Sequence, residues 1–229
     1  MVETRSLKTR SGSGEGDTLV DVVRRLFPQE SAVATHFRPR SYVFHQGSHV
    51  DFVYLATRGT LVLERIDEDG RMAMFGTHEV GSLLGWQDLL GGRVHRSSCQ
   101  SIGHSELVAV AADRFESVLH SSEELLLKLM QQAAAQTCSY EEHIFRLSTQ
   151  DVPERLYRTL LTLAGSPEIE DEVIEVETPL MKRDIAALVG TSPETLSRGL
   201  RRLEKMKIAE FTEHRTFKLF PSNGNDTFD

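Results

Sequence analysis

Three polar side chains near the C-terminal end of the chain have the types and the spacing needed to recognise base edges in DNA. Glu194, Ser197 and Arg198 lie at positions i, i+3 and i+4, so a helix would carry all three on one face. Arginine can donate two parallel hydrogen bonds to guanine, and glutamate can accept a hydrogen bond from the amino group of cytosine. The triplet therefore predicts a base-reading surface.

Two predicted helices joined by a tight turn would position this surface. Apolar residues recur at helical spacing on both segments: Ile185, Ala186 and Val189 on the first, and Leu196, Leu200 and Leu203 on the second. Gly190 can adopt the left-handed conformation that ends a helix. Thr191 and Ser192 then offer a hydroxyl N-cap and are predicted DNA contacts themselves, and Pro193 suits the first turn of the next helix. The pattern predicts a helix-turn-helix, with a plain helical hairpin as the alternative.

The local charge favours the DNA-binding interpretation. The whole chain has a formal net charge of -8, yet residues 181–207 contain seven Lys and Arg against three Asp and Glu. A basic patch on an acidic protein is typical of a nucleic-acid-binding surface. Four cations of this region are predicted to contact phosphates, namely Arg201, Arg202, Lys205 and Lys207. Residues 208–211 and 216–220 predict a β-hairpin wing, in which Arg215 would contact phosphate as well.

The region between residues 38 and 115 has a different pattern, with short apolar segments separated by glycine. Strands are predicted over residues 42–44, 52–55, 60–64, 72–75 and 107–110. Asp69 and Gly70 form a strong hairpin signal because both tolerate a positive φ. Short strands at near-regular intervals indicate a barrel or roll, whose interior could hold a small ligand or be filled by side chains.

A long helix is predicted from Glu123 to Ser148, because neither proline nor glycine interrupts this segment. Seven of its residues recur with alternating spacings of four and three: Leu126, Met130, Ala133, Thr137, Tyr140, Ile144 and Leu147. Such a heptad pattern predicts pairing with a second copy of the chain, as a palindromic DNA site requires. The alternative is a helix that lies on its own domain. Cys138 falls beside this seam, which argues against a disulfide between subunits.

Length and composition limit the remaining possibilities. A chain of 229 residues that is 39% hydrophobic predicts two domains with ordinary cores. Residues 1–17 are rich in Ser, Gly and Thr, predict a disordered tail and lack the apolar core of a secretory signal. No apolar run approaches the roughly 18 residues of a membrane span. The chain has only two cysteines, a number that favours a reducing compartment, so we expect a cytoplasmic protein.

The order of these parts resembles the CRP/FNR superfamily of bacterial transcription regulators, from about residue 18 to residue 220. The resemblance rests on residues 47–48, 59–64 and 81–86 in the roll, and on residues 184–186 and 194–198 in the DNA-binding region. It implies an α+β fold with three parts: an antiparallel β-roll of cyclic-nucleotide-binding type over 18–122, a dimerisation helix over 123–148, and a winged helix-turn-helix over 149–229. It also implies a homodimer that binds operator DNA, with RNA polymerase as a further partner.

The recognition segment resembles one branch of this family in particular. The Glu-x-x-Ser-Arg pattern of residues 194–198 is similar to that of the FNR branch, whose half-sites contain TTGA. Pro193 replaces the arginine that precedes the glutamate in the catabolite-activator branch. Gly199 departs from the family, which usually has a branched aliphatic residue there. A glycine inside a helix costs about 1 kcal/mol, so this helix is expected to be softer than usual.

The resemblance also implies an effector pocket. In cyclic-AMP-binding members a glutamate binds the ribose and an Arg-Ser pair binds the phosphate. Here Trp86 replaces the glutamate, whereas Arg96 and Ser97 remain. Tyr140 and Glu141 replace the small hydroxyl residues that meet the purine. We therefore expect an effector other than cyclic AMP at these five positions.

The cofactor stays open at this point. Nine histidines could supply an axial ligand to heme, and Trp86 could line a heme face. An iron–sulfur cluster is disfavoured because two cysteines cannot supply four thiolates. His45 and His49 lie in a strand-and-turn region, which does not give the geometry of a helical metal site. Thiol sensing by Cys99 would need a lowered pKa, which Arg96 could favour, whereas burial would make it inert.

Two other classes of protein remain as alternatives. A cupin-like metal enzyme would make the roll catalytic, but such enzymes carry paired histidines on neighbouring strands and no His-x-His occurs here. A ligand-binding subunit that regulates a partner protein would leave the base-reading surface of Glu194, Ser197 and Arg198 unexplained. The sequence therefore favours a non-enzymatic, DNA-binding regulator.

Overall fold

The computed structural model describes residues 3–5, 17–28, 32–165, 173–212 and 216–220. These residues form two compact units, one of residues 11–140 and one of residues 1–10 and 141–229. The division falls within a long helix, between Tyr140 and Glu141. The sequence predicts boundaries at both ends of that helix instead.

The described residues form both helices and strands. In order, they are β1 Glu3–Arg5, α1 Leu19–Leu26, β2 Ala32–Phe37, β3 Tyr42–Phe44, β4 Phe52–Arg58, β5 Leu61–Ile66, β6 Met72–His78, β7 Leu83–Leu84, α2 Trp86–Leu90, β8 Ser98–Ser101, β9 Ser105–Ala111, α3 Ala112–Leu119, α4 Glu123–Thr149, α5 Val152–Leu163, β10 Ile174–Glu177, α6 Lys182–Val189, α7 Pro193–Lys205, β11 Ala209–Phe211 and β12 Thr216–Leu219. The five predicted strands of the roll and the predicted long helix are all present. The α+β fold class is thereby confirmed.

Two four-stranded antiparallel sheets form the roll. Their strand orders are β2-β9-β4-β7 and β3-β8-β5-β6. The Asp69-Gly70 turn joins β5 to β6, and Gly70 has a φ of 77°. Gly59 has a φ of 89°, and a Cβ there would lie 2.8 Å from the Cα of Ser105. A glycine is therefore required where the chain turns between β4 and β5.

Three roll strands escape prediction, each for a different reason. β8 carries the polar sequence Ser-Cys-Gln-Ser, which has no apolar alternation, yet it is the inner strand between β3 and β5. β2 lies at a sheet edge and leaves Val33 exposed, so burial does not shape its pattern. β7 has only two residues.

Side chains fill the space between the two sheets. The cluster contains buried residues of six strands: Phe44, Ala56, Leu61, Leu84, Cys99 and Leu107. A second cluster joins one sheet to α1, α3 and the first half of α4 through buried residues such as Phe115, Leu125 and Leu129. Side chains therefore fill the roll between its two sheets, and apolar contacts hold the helices against it.

The second unit contains a small sheet in the order β1-β10-β12-β11, beside α5, α6 and α7. β11 and β12 pair antiparallel as the predicted wing, although its turn, which includes Arg215, lies outside the described residues. The disordered tail predicted for residues 1–17 needs a correction. Residues 3–5 form a strand parallel to β10, and its backbone hydrogen bonds are not visible in a composition argument.

Candidate nucleic-acid interface and sensing site

The turn between α6 and α7 has the predicted geometry. Gly190 ends α6 with φ 71° and ψ 48°, and its N–H donates to the carbonyl of Ala186. The Ser192 hydroxyl accepts from the N–H of Thr195 at 3.2 Å, so Ser192 is the N-cap of α7 and Pro193 is its first residue. Thr191 is half-buried in the turn, and its N–H also donates to Ala186 at 3.0 Å.

The base-reading surface stands free on α7. Glu194, Ser197 and Arg198 are exposed, whereas Leu196, Leu200 and Leu203 are buried on the opposite side: the helix is amphipathic as predicted. The Ser197 hydroxyl donates to the carbonyl of Pro193 at 2.9 Å, which leaves its oxygen available as an acceptor. A backbone hydrogen bond at Glu194 itself, together with the Ser192 hydroxyl and the charge of Arg198, holds the pKa of Glu194 below its usual value. Glu194 is therefore an ionised acceptor.

The cations predicted to contact phosphates differ in their surroundings. Arg201, Lys205 and Lys207 are exposed. Arg202 forms an ion pair with Asp151, Nη1 to Oδ2 at 3.0 Å. Sequence reasoning did not single out Lys182 and Arg183, which are exposed at the start of α6 and are detectable only once the helix is placed.

Gly199 lies at a helix–helix contact. It is buried, and a Cβ at this position would lie 3.4 Å from Leu156 Cδ2 and 3.7 Å from Val152 Cγ1 of α5. These are ordinary van der Waals distances, so a methyl group fits. Helix α7 runs unbroken through Gly199, and its packing against α5 leaves room at this position for a methyl group at van der Waals distance.

The predicted dimer seam is mostly exposed apolar surface on α4. Met130 and Ile144 are each 61% exposed, and Leu126, Thr137, Tyr140 and Leu147 are also exposed. Ala133 is the exception among the seven seam positions, because it packs partly against the core of the roll. The structure adds Leu127 and Phe145, which are 56% and 59% exposed and were missed because the heptad was placed one position away.

Trp86 and Ser97, two of the predicted effector residues, belong to the body of the roll. Trp86 is 7% exposed and packs within the apolar core cluster beneath α4. Its Nε1 is buried and has no hydrogen-bond partner among the residues that the structure describes. Ser97 is 9% exposed. The tryptophan therefore fills the core with its apolar ring.

Arg96 is already paired within the roll. Its Nε donates to Asp88 Oδ1 at 2.8 Å, and its side chain is otherwise largely exposed. Burial raises the pKa of Asp88, but hydrogen bonds from His95 and Arg96 outweigh that effect and bring it below its usual value. His95 in turn stacks on Phe44 with ring centroids 3.8 Å apart. Sequence reasoning missed Asp88, which forms an ion pair with the guanidinium that we expected to bind an anion.

The five predicted effector residues do not share one cleft. Tyr140 lines a cleft of about 580 Å³ between β6, the start of α1 and α4, together with His78, Lys128 and Gln132. Burial raises the pKa of Tyr140. Arg96 lines a separate cleft of about 470 Å³ with Arg65. Neither cleft is lined by Trp86, Ser97 or Glu141, and Glu141 is exposed.

The candidate redox and metal groups are also located. Cys99 is fully buried between the sheets, and burial raises the pKa of its thiol far above the usual value. A thiol in that state is a poor nucleophile, so the structure disfavours Cys99 as a redox sensor. Among the described residues no three His, Cys, Asp or Glu side chains gather as a metal site. His49 pairs with Asp51 at 2.9 Å, and His45 lies against Tyr42.

Comparisons with known proteins agree with both units. A family model of the cyclic nucleotide-binding domain matches residues 34–122, and a model of the Crp-like helix-turn-helix domain matches residues 154–219. Within the part of the chain that the structure describes, no helix is long and apolar enough to cross a membrane.

Individual relatives have low sequence identity to this chain but align with most of its length. The nitrogen fixation regulation protein FixK of Azorhizobium caulinodans is 27% identical over 171 residues, covering 74% of this chain and 68% of that protein. The cAMP-activated global transcriptional regulator CRP of Salmonella typhimurium is 24% identical over 170 residues, covering 74% of this chain and 81% of that protein. The solved structure of the c-di-GMP-responsive global regulator CLP of Xanthomonas campestris superposes with a TM-score of 0.76 at 20% identity, covering 88% and 98% of the two chains. That similarity shows the fold.

Proposed function

Because the chain belongs to the CRP/FNR family of DNA-binding transcription regulators, we propose that it acts as a homodimer that binds a TTGA-type palindrome in response to an effector. The observation that carries this proposal is the free surface of Glu194, Ser197 and Arg198 at the start of α7. An ionised glutamate and an exposed arginine one helical turn apart can hydrogen-bond to a cytosine and a guanine of neighbouring base pairs.

Dimerisation explains the exposed apolar residues of α4. A monomer in water would leave Met130, Ile144 and Phe145 each more than half exposed on one helix. Pairing with α4 of a second copy would remove this surface from water and bring two recognition helices to successive major grooves. An effector in the roll would change the packing of the α4 pair and hence the placement of those helices.

The effector we propose is not cyclic AMP. Trp86 occupies the position of the ribose-binding glutamate and packs into the core, and Arg96 is paired with Asp88. A ligand phosphate would therefore meet a guanidinium whose charge a carboxylate already neutralises. Heme-based sensing of a gas, or redox sensing, by the same architecture is the second candidate, since histidines are present for an axial ligand. The burial of Cys99 argues against a thiol-based version.

The remaining partners follow from this role. A regulator that binds promoters works in the cytoplasm beside RNA polymerase, and it needs no catalytic activity of its own. The cupin-like alternative would require a cluster of metal ligands in the roll, and the described residues contain none.

The proposal is tested on the purified full chain with two measurements. Sedimentation should give a dimer, and fluorescence anisotropy should show tighter binding to a TTGA-N6-TCAA duplex than to a scrambled duplex at the same salt concentration. A visible absorption spectrum of the same sample separates the two sensing candidates, because bound heme absorbs strongly. A monomer that binds both duplexes equally would contradict the proposal.

A further inference from the structure

Arg155 joins the end of α4 to the helix-turn-helix. From α5, its Nη1 donates to the carbonyl of Gln150 at 2.8 Å, and its Nε donates to the carbonyl of Val189 at 3.1 Å. Gln150 directly follows the last residue of α4, and Val189 is the last residue of α6. Carbonyls at a helix C-terminus lack partners inside the helix and attract cations. One half-buried guanidinium thus caps two helices.

The Val189 carbonyl has a special position. It belongs to the peptide bond that precedes Gly190, the left-handed residue that sets the angle between α6 and α7. Holding this carbonyl fixes the plane of that peptide. Arg155 therefore acts on the turn that orients the recognition helix, although it is far along the sequence from the base-reading surface.

Two more contacts connect the same segments. Leu147, in the last turns of α4, places its Cδ2 only 2.8 Å from the position that a Cβ of Gly190 would occupy. Asp151, the N-cap of α5, pairs with Arg202 of α7 at 3.0 Å. All of these residues belong to one compact unit, which includes the C-terminal part of α4.

We propose that Arg155 is a positioning residue, which makes the C-terminal end of α4 and the helix-turn-helix one rigid body. A displacement of α4 is then delivered to the recognition helix instead of being absorbed at residues 149–151. This inference rests on the proposed function in so far as the effector acts through α4. Arginine is required because its planar fork donates to both carbonyls at once, whereas lysine supplies a point charge.

Three variants of the full chain test this: Arg155→Lys, Arg155→Met and the matched control Arg158→Met, an exposed arginine on the same helix. Hydrogen exchange reports the link directly, since the amides of Gln150 and Thr191 lie beside the two capped carbonyls. Both Arg155 variants should exchange faster at these amides while the centre of α7, at Leu200, keeps the wild-type rate. Arg155→Lys should keep the wild-type melting temperature because the charge remains.

Binding to the TTGA-N6-TCAA duplex gives the functional readout. Both Arg155 variants should bind about tenfold more weakly, which corresponds to about 1.4 kcal/mol, and Arg158→Met should bind as wild type does. Recovery of exchange rates and affinity by lysine would overturn the proposal, as would unchanged exchange in Arg155→Met. A uniform increase in hydrogen exchange that includes Leu200 would also overturn it, because Arg155 would then merely stabilise the fold. If the wild-type protein ignores the palindrome, the proposed function fails, but the exchange measurement still decides the role of Arg155.

Discussion

At the level of single residues, Arg198 and Lys205 illustrate two different uses of positive charge on one helix. Both are exposed on α7, but Arg198 stands near its N-terminal end beside Glu194, whereas Lys205 is the last residue. In a helix-turn-helix, the N-terminal residues of the second helix contact bases, and we expect the far end of α7 to contact the backbone. Loss of each charge should therefore have a different effect on binding.

Arg198→Ala should reduce discrimination between the palindrome and its variants by about 1–3 kcal/mol for each base pair that the arginine contacts. Lys205→Ala should weaken binding to all sequences alike and reduce the slope of log affinity against log salt by about one. Anisotropy titrations over several salt concentrations measure both effects. Equal losses of specificity in the two variants would contradict these assignments.

Gly199 gives a prediction about stability. Alanine is a better helix former by about 0.5–1 kcal/mol, and the methyl group fits against Leu156 at 3.4 Å. Gly199→Ala should therefore raise the free energy of unfolding of the DNA-binding unit by about that amount, as measured by urea denaturation. A loss of stability would contradict the prediction, because it would mean that the methyl group disturbs the contact between α7 and α5.

His78 predicts a dependence on pH. It is buried in the roll, its Nε2 has no hydrogen-bond partner in the described part of the chain, and burial lowers its pKa from 6.5 to about 4. Between these values the unfolded chain binds a proton that the folded chain does not, so the free energy of unfolding falls as the pH falls, by up to about 1.4 kcal/mol per unit. His78→Gln should flatten the melting temperature of the roll across this range, and His104→Gln, at an exposed histidine, should not. If the melting temperature of His78→Gln still fell with pH as steeply as that of the wild type, His78 would not be the cause of the pH dependence.

At the level of elements, α4 carries the test of assembly. Met130→Glu would bring two carboxylates together in the paired helices, where burying unpaired charge costs several kcal/mol, so the dimer and its DNA binding should be lost together. Gln131→Glu adds the same charge beside the apolar stripe and serves as the control. Sedimentation measures the outcome. A Met130→Glu protein that stays dimeric would remove this part of α4 from the interface.

The elements also show what a sequence pattern can and cannot predict. The helix-turn-helix was predictable because its signals are local: Gly190 at the left-handed position, Ser192 as the N-cap and buried residues at helical spacing. β8 was not, because its place between β3 and β5 depends on pairing with residues far along the chain. Ala133 faces the roll for the same reason, since the heptad alone does not say which side of α4 its own domain covers.

At the level of the whole molecule, the DNA-binding surface and the sensing site differ in how far they could be predicted. The recognition residues share one helix, so their spacing places them together. The predicted effector residues come from α2, the loop that precedes β8, and α4, and the structure distributes them between the core, a salt bridge and two clefts. The salt bridge between Asp88 and Arg96 neutralises the arginine, and only the structure reveals this pairing.

That arrangement predicts the response to cyclic AMP. The ligand would leave polar groups unpaired beside Trp86 and would compete with Asp88 for Arg96, at about 1–3 kcal/mol for each unsatisfied group. Isothermal titration calorimetry should therefore detect no binding at physiological concentration, and cyclic AMP should not change operator affinity. Micromolar binding with a matching rise in operator affinity would show that Arg96 and Ser97 suffice.

We propose that two copies of the recognition helix select a palindrome through Glu194, Ser197 and Arg198. Selection of bound sequences from a pool of random duplexes, with no operator assumed, tests it most directly. The predicted result is enrichment of TTGA-N6-TCAA, with both half-sites at fixed spacing and with enrichment lost in Arg198→Ala. Enrichment of an unrelated or non-palindromic sequence, or none at all, would contradict the account.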